Sequence, residues 1–212
     1  MTRVMLAGAT GLVGGECLRL LLAEPEVALV RVVSRRRPDQ IPADPRLELE
    51  LVDFARLSER SDLFDVDSIV CALGTTIRKA GSRAAFRAVD YELPLALARL
   101  GRERGARHFV LVSSLGASPR SRFFYSRVKG DLEDAVASLG YPALTILRPS
   151  LLLGERAEFR LGEAIAKQLA WLVPGPAAPI YARDVAAAAV RQVLSPPRGR
   201  LVLSSSEMRA RR

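Results

Sequence analysis

Short apolar runs alternate along the chain with longer segments in which apolar residues recur at helical spacing. Most of the short runs are nearly continuous, which is typical of strands in a parallel sheet that helices cover on both faces. The run at residues 46–54 instead alternates apolar and polar residues with a period of two. The predicted strands lie at residues 3–8, 27–34, 46–54, 68–74, 108–114, 143–150 and 199–204.

The segments between these strands predict helices. They lie at residues 11–24, 83–105 (interrupted near Pro94), 123–140, 161–171 and 182–194, with a proline-rich loop at 174–179. Strands that alternate with helices form βαβ units with right-handed crossovers, so we expect an α/β fold with a doubly wound parallel sheet. Residues 1–212 are expected to form a single domain with a small C-terminal elaboration, in which residues ~150–212 contribute the substrate side.

Composition narrows the class of protein. The chain has 212 residues, of which 49% are hydrophobic, and this suffices for one core. It contains no apolar run as long as a membrane span and no signal-like segment, so we expect a cytoplasmic protein with no membrane partner. Cys17 and Cys71 have no CxxC neighbour and are expected to be buried free thiols, while the single histidine, His108, predicts no metal site.

The net charge of +9 would suit a nucleic-acid partner, but the distribution of charge argues against one. Only three of the 32 basic residues are lysines, and the arginines are spread along the whole chain. Such a spread, together with abundant alanine, is typical of a GC-rich genome and is weak support for a phosphate-tracking face. The clusters RVVSRRR and MRARR are local exceptions, and the first of them bears on the choice of cofactor.

Three glycines, in the order Gly8-x-x-Gly11-x-x-Gly14, follow the first predicted strand and open the first helix. The tight turn, the close approach of a pyrophosphate and the packing of helix on strand each favour a residue without Cβ. Backbone amides at the start of the helix would then face the phosphates. The motif predicts a Rossmann-like dinucleotide site, although its spacing differs from G-x-G-x-x-G by one residue.

The end of the second strand predicts which dinucleotide binds. NAD sites place an acidic residue there for the ribose 2′-hydroxyl, whereas this chain has Ser34, Arg35 and Arg36. Guanidinium groups can bind a 2′-phosphate in a bidentate way, so we expect NADP(H), with NAD(H) as the second option. A solvated basic loop is the alternative. Asp53 and Phe54, which end the third strand, either meet the adenine or form an ordinary turn.

Tyr125 and Lys129 are spaced i and i+4 on a predicted helix, so they share one face. Ser113 and Ser114 end the fifth strand, at the edge where a doubly wound sheet binds its ligands. Carbonyl reduction needs a proton donor beside the forming alkoxide, and an ammonium near a phenol favours the phenolate that donation leaves behind. A serine hydroxyl can orient the substrate oxygen. The alternative for Tyr125 is a ring that only packs against the sheet.

The segments GATGLVGG, SS and YSRVK resemble the landmarks of the atypical branch of the short-chain dehydrogenase/reductase superfamily. The longer segment CALGTTIRKAGSRAAFRAVDYELPLALARLGRERGARHFVLVSSLGAS, with FFYSRVKGDLEDAV and ILRPSLLLG after it, is similar to the Tat-interacting oxidoreductase family and its bacterial relatives. The resemblance runs through nearly the whole chain. It implies a Rossmann domain that binds NADPH and acts as an oxidoreductase on a small carbonyl or alcohol.

The resemblance also implies roles for individual residues. Ser114, Tyr125 and Lys129 form the implied catalytic set, and Ser114 is preferred to Ser113 because the second serine of such strand-end pairs usually takes this role. The implied cofactor-binding residues are Gly8, Thr10, Gly11, Leu12, Val13, Gly14, Ser34, Arg35, Arg36, Asp53, Phe54, Leu73, Gly74, Thr75, Lys129, Arg148, Pro149 and Ser150.

Two other functions stay open at this point. One is a regulatory protein that senses NADP(H) without turnover, and the other is a sugar-nucleotide epimerase or dehydratase. The intact Tyr125 and Lys129 pair favours catalysis, and the short chain after Ser150 disfavours a bulky substrate. Asp90 stands where many superfamily members carry an asparagine that supports a proton relay, which leaves a full relay in doubt. A homodimer through the two long helices is a further option, but helices that cover their own sheet predict the same pattern.

Overall fold

A seven-stranded parallel sheet forms the centre of the computed structural model, which describes residues 1–38, 41–153 and 178–210. The strands are β1 (Thr2–Ala7), β2 (Val27–Ser34), β3 (Leu47–Leu51), β4 (Ser68–Cys71), β5 (His108–Val112), β6 (Ala143–Arg148), β7 (Leu152–Leu153), β8 (Ile180–Tyr181) and β9 (Gly199–Ser204). The sheet order is β3-β2-β1-β4-β5-β6-β9, and β7 pairs with β8 in a separate ribbon. The predicted α/β fold with a doubly wound, Rossmann-like sheet is therefore confirmed.

Helices connect the strands and lie on both faces of the sheet. They are α1 (Leu12–Ala23), α2 (Ile77–Ala80), α3 (Arg83–Arg87), α4 (Leu93–Glu103), α5 (Phe124–Ala137), α6 (Ala182–Leu194) and α7 (Ser205–Ala210), with a kinked 3₁₀ segment at Phe54–Phe64. Side-chain oxygens of Thr76 and Ser82 accept N–H groups in the first turns of α2 and α3, which fixes where these short helices begin.

The helix predicted at residues 83–105 differs from expectation in one detail. The interruption expected near Pro94 takes the form of a π-helical turn, Ala88–Glu92, between α3 and α4. Pro94 lies in the first turn of α4, where its missing N–H is tolerated best. The π turn matters because it carries Asp90, and such turns recur at functional sites.

The two faces of the sheet have separate hydrophobic cores. One core contains buried residues of α1 and α6, including Cys17, and the other contains buried residues of α4 and α5, including Cys71. Both thiols are buried and free, as predicted, and burial raises the pKa of Cys17 to about 12 and that of Cys71 to about 11. Neither thiol is therefore a nucleophile near neutral pH.

Parallel pairing brings the ends of the central strands to one edge. Ala7 of β1 is in register with Cys71 of β4, and Cys71 is in register with Leu111 of β5. The residues that follow these three strands consequently meet at the carboxyl edge beside the switch between β1 and β4, which is where doubly wound folds bind ligands.

The segments at the C-terminal side are only partly described. The helix predicted at 161–171 and most of the loop predicted at 174–179 lie outside the described residues. Within the described ranges, none of the helices combines the length and the apolar character that crossing a bilayer requires.

His108 is the basis of a prediction about stability at low pH. It begins β5 fully buried, its Nε2 lies 3.0 Å from Oγ1 of Thr145, and burial lowers its pKa to about 4. An unfolded histidine titrates near pH 6.5, so between pH 6.5 and 4 the unfolded chain binds more protons than the folded one. We expect the wild type to lose up to about 3 kcal/mol of unfolding free energy from this residue across that window. Urea denaturation at several pH values measures the loss.

His108→Gln is the matched variant, because its amide can still reach Thr145 but does not titrate. Its unfolding free energy should fall less steeply than that of the wild type from pH 6.5 to 4. Equal slopes in the two proteins would refute the assignment of this window to His108.

Candidate functional site

The turn between β1 and α1 has no room for side chains at two of its three glycines. Gly8 has φ +96°, and a Cβ there would lie 2.5 Å from the carbonyl oxygen of Ala72. A Cβ on Gly14 would lie 2.0 Å from the carbonyl oxygen of Gly8. The Gly11 N–H closes the turn by donating to that same oxygen at 2.8 Å. The turn is thus packed tightly against the segment after β4, and the first turn of α1, with Leu12 and Val13, opens at the carboxyl edge.

A shallow pocket of about 60 Å³ adjoins this turn. Seven of the eight residues that line it are among the predicted cofactor residues, and Val33, at the end of β2, is the one that sequence reasoning missed. The lining residues are Gly8, Thr10, Val33, Ser34, Arg35, Arg36, Phe54 and Leu73. The pocket therefore joins the ends of β1, β2 and β4 with the start of the 3₁₀ segment after β3.

Two arginines form the outer end of this pocket. Arg35 and Arg36 are exposed, and within the described part of the chain neither forms an ion pair. The hydroxyl of Ser34 donates to the carbonyl oxygen of Arg36 at 2.7 Å, which holds the backbone of the turn. Asp53 accepts the N–H of Ala55 at 3.0 Å and so caps the 3₁₀ segment. The Asp53 carboxylate thus has a capping role, and within the described residues the two guanidinium groups stay available for an anion.

Lys129 lies on α5 with only 3% of its surface exposed. Its Nζ is 2.8 Å from Oδ1 of the fully buried Asp90, and the other oxygen of Asp90 accepts the N–H of Thr75 at 2.8 Å. The contact between Oδ1 and Nζ is thus a short ion pair between two buried groups. Asp90 therefore connects the loop after β4, where Gly74 and Thr75 lie, to the lysine on α5.

The charge state of Lys129 follows from these contacts. Burial lowers the pKa of Lys129, but the negative charge of Asp90 and the contact with it, with a further electrostatic contribution from the neighbouring Tyr125 oxygen, together outweigh burial and raise it. The ammonium is consequently retained at neutral pH despite its buried position. The ion pair also makes the buried position electrically neutral overall, which reduces the cost of holding a charge there.

The two serines after β5 have different surroundings. Ser113 is buried, and its hydroxyl donates to Oε1 of Glu133 at 2.6 Å. The Oγ of Ser114 is also buried but has no hydrogen-bond partner in the described structure. A buried hydroxyl without a partner is costly unless a ligand satisfies it. Ser114 is therefore the serine whose hydroxyl can still bind a ligand.

Tyr125 lies one helical turn before Lys129, near the start of α5. Its ring packs at 5.5 Å from the ring of Phe86 in α3, and its side chain is half-buried. Tyr125 and Lys129 are four residues apart on α5 and therefore share one face of the helix. The tyrosine thus has both an anchored ring and a charged neighbour.

The segment after β6 makes contacts of a different kind. Arg148 donates from Nε to Glu133 Oε1 at 3.0 Å, and this hydrogen bond is the largest cause of its raised pKa. Ser150 donates from its hydroxyl to the carbonyl oxygen of Ala178 and receives a hydrogen bond from Ser205. These contacts, with Pro149 between them, tie the end of β6 to α5 and to the C-terminal region rather than to the glycine turn.

Sequence reasoning missed Glu133. It is 1% exposed and accepts hydrogen bonds from both Ser113 and Arg148. A signal was present in the chain, because Glu133 follows Lys129 by four residues and Tyr125 by eight and so belongs to the same helical face. A carboxylate on a helical face that packs against the sheet is buried, and a buried carboxylate needs a polar partner.

Comparisons with known proteins agree with the fold. A family model described as HIM1 matches residues 46–176. The mitochondrial protein fmp52 of Emericella nidulans is 40% identical over 172 residues, which cover 79% of this chain and 74% of that protein. The mitochondrial protein FMP52 of Candida albicans is 38% identical over 195 residues, covering 87% and 85%. Protein HTATIP2 of Rattus norvegicus is 35% identical over 205 residues, covering 94% and 84%.

Solved structures show the same fold at much lower identity. The Bordetella bronchiseptica enzyme WbmH, in complex with NAD⁺, has a TM-score of 0.75 at 16% identity, and the match covers 99% of this chain and 78% of the WbmH chain. MoeE5, in complex with UDP-glucose and NAD, has a TM-score of 0.75 at 15% identity, covering 97% and 79%.

The relatives correct two expectations drawn from the sequence. We expected a cytoplasmic, bacterial protein, and both expectations were wrong, since the matched relatives come from fungi and a mammal and the fungal ones are named as mitochondrial. The physical reason is that composition and hydropathy indicate whether a surface is compatible with water or with lipid. They do not specify the cellular compartment to which a protein is directed.

Proposed function

Because the chain belongs to the HIM1 family and to the atypical branch of the short-chain dehydrogenase/reductase superfamily, we propose that it is an NADP(H)-dependent oxidoreductase acting on a small carbonyl or alcohol. The observation that carries the proposal is the arrangement at the carboxyl edge. A buried, charged Lys129 lies one turn after Tyr125, and the Oγ of Ser114, just after β5, is buried without a hydrogen-bond partner among the described residues.

The glycine turn and the adjoining pocket fit a dinucleotide. The contacts that exclude a Cβ at Gly8 and Gly14 allow the close backbone approach that a pyrophosphate needs, next to the first amides of α1. Arg35 and Arg36 support NADP(H) over NAD(H), because two exposed guanidinium groups that form no ion pair with any described carboxylate suit a 2′-phosphate. When bound, the nicotinamide supplies or accepts the hydride, which carries both electrons of the reaction.

The residues at the edge supply the proton chemistry. In the reductive direction the carbonyl carbon gains a hydride, and its oxygen takes a proton from the hydroxyl of Tyr125, so that the alcohol forms. Lys129 stabilises the phenolate that remains until a solvent proton replaces the lost one. Ser114 donates a hydrogen bond to the substrate oxygen and so orients the carbonyl. In the oxidative direction the same groups act in reverse.

Cofactor selectivity tests the nucleotide part of this proposal. We expect wild-type protein to bind NADPH more tightly than NADH, and Arg35→Ala/Arg36→Ala to reduce the NADPH:NADH affinity ratio by roughly tenfold or more, mainly through weaker NADPH binding. Isothermal titration with each nucleotide measures both affinities. Arg104→Ala/Arg107→Ala is the matched control, since these exposed arginines flank the opposite edge of the sheet, before β5.

Two results would contradict the proposal. An unchanged affinity ratio in Arg35→Ala/Arg36→Ala would refute the 2′-phosphate assignment. Tight NADPH binding without oxidation by any member of a broad carbonyl panel, followed at 340 nm, would instead support the sensing alternative.

A further inference from the structure

Two segments that surround the proposed site contain no acidic residue. They are residues 72–89, after β4, and residues 113–130, after β5, which we call the acid-free segments. Acidic residues make up 23 of 212, so about four would be expected in 36 positions of average composition. The same positions hold eight basic residues. The lack of acidic residues is therefore a local feature of these segments and is distinct from the general excess of arginine in the chain.

The acid-free segments pack against each other beside Tyr125. Phe86 of the first segment packs against Phe124 of the second with ring centroids 5.8 Å apart, and it also packs against Tyr125. The guanidinium of Arg83 lies 5.2 Å from the centre of the Phe124 ring. Charges from both segments are thereby brought to the end of α5 that carries Tyr125.

Several cations of the acid-free segments form no ion pair with a carboxylate among the described residues. Arg87 is 3.8 Å from Asp131, and Lys129 pairs with Asp90. In the described part of the chain no comparable ion pair neutralises the exposed side chains of three arginines, and each of these lies in an acid-free segment. They are Arg78, Arg120 and Arg122.

Exposed apolar side chains accompany these cations. Phe123, next to Arg122, is 77% exposed, and Ile77, next to Arg78, is 40% exposed. Large apolar groups beside unpaired guanidinium groups suit a ligand that has both an apolar body and an anionic end. A neutral ligand would leave the guanidinium groups without an electrostatic role.

We propose that the acid-free segments select substrates that carry an oxyanion, a carboxylate or a phosphate, on the end away from the reacting carbonyl. The inference rests on the proposed oxidoreductase function, because it places the carbonyl at Tyr125 and the anion outward. Arg35 and Arg36 take the cofactor phosphate at the other end of the site. Arg120 and Arg122, in the loop that follows Ser114, meet the substrate anion, and their field raises the local concentration of anionic ligands.

Equilibrium binding of matched aldehydes tests the proposal. The probes are 4-carboxybenzaldehyde, 4-formylphenyl phosphate and the neutral 4-methylbenzaldehyde, and each is titrated into the protein alone and with saturating NADP⁺. We expect at least one anionic aldehyde to bind about tenfold or more tightly than the neutral one, with an advantage that shrinks as salt is raised. The comparison between the two anionic probes distinguishes a carboxylate site from a phosphate site.

Charge reversal locates the site. Arg120→Glu/Arg122→Glu should abolish the advantage of the anionic aldehyde, whereas Arg104→Glu/Arg107→Glu, with the same change in net charge, should preserve it. Equal binding of neutral and anionic aldehydes, no binding of any, or equal losses in both double variants would overturn the proposal. So would binding of duplex DNA or anionic vesicles that depends on Arg120 and Arg122 when the anionic aldehyde does not.

The proposed function can fail independently of this inference. If NADP⁺ does not bind, the titrations without nucleotide still compare the aldehydes. If the anionic aldehyde binds but neither it nor any member of the carbonyl panel is reduced with NADPH, the oxidoreductase function is refuted and the anion site is retained.

Discussion

Replacing Tyr125 with phenylalanine is expected to reduce NADPH-dependent turnover by about 10²- to 10⁴-fold, which is the range that positioned acid–base groups contribute. The variant removes the hydroxyl and keeps the ring, so the packing of Phe86 against this position is retained. The NADPH dissociation constant should stay within about twofold of the wild-type value, because the lost interaction is made with the reacting substrate oxygen. Stopped-flow or steady-state assays at 340 nm, combined with titration of NADPH, measure the two quantities separately.

Tyr91→Phe is the control for this experiment. Tyr91 is also half-buried and packs under the guanidinium of Arg87 at 4.0 Å, so its variant makes the same chemical change on a neighbouring helical turn. Its turnover should match that of the wild type. If Tyr125→Phe kept full turnover, the tyrosine would not be the proton donor, and if it lost NADPH affinity in parallel, its role would be in binding.

The sequence predicted the architecture well because local pattern determines it. Strands with continuous apolar runs are stable where helices cover both faces of the sheet. A turn that tolerates no Cβ can be recognised from the spacing of its glycines. The strand ends were predicted less well. The run 108–114 was expected to be strand throughout, yet β5 ends at Val112, although the N–H of Ser113 still donates to the carbonyl oxygen of Leu147 in β6 at 2.8 Å. Apolar and small residues continue past the end of the strand, so hydropathy alone does not locate the edge where ligands bind.

The partners of the site residues could not be predicted from local pattern. Asp90 and Lys129 are 39 positions apart in sequence, and their ion pair depends on how the π turn packs against α5. The hydrogen bond from Ser113 to Glu133 likewise determines which of two adjacent serines is left without a partner. Such choices are made by tertiary contacts between elements, which a single sequence specifies only indirectly.

Removing the charge of Asp90 is the second change for which we expect a large effect, because Asp90 neutralises the buried charge of Lys129. Asp90→Asn retains the shape of the side chain and an oxygen for the N–H of Thr75 but removes the negative charge 2.8 Å from Nζ of Lys129. Breaking a buried ion pair by removing one partner costs about 3 kcal/mol or more. We expect a loss of that size in unfolding free energy at pH 7, together with weaker NADPH binding, as measured by chemical denaturation and titration.

The dependence of this loss on pH distinguishes an electrostatic role from a packing defect. In the wild type the charge of Asp90 helps to raise the pKa of Lys129, whereas in the variant burial dominates and lowers that pKa below its unfolded value of about 10.4. Between the two values the unfolded variant binds more protons than the folded one, so its stability rises with pH, and the gap from the wild type narrows toward pH 10.

Asp131→Asn makes the same substitution on the surface of α5, where the carboxylate is 3.8 Å from Arg87, and it should cost less than about 1 kcal/mol. If Asp90→Asn were as stable as the wild type at every pH, Asp90 would act through its shape and its bond to Thr75, both of which the variant retains. In that case the charge on Lys129 would need another explanation, and the asparagine common at this position in the superfamily would be its functional equivalent.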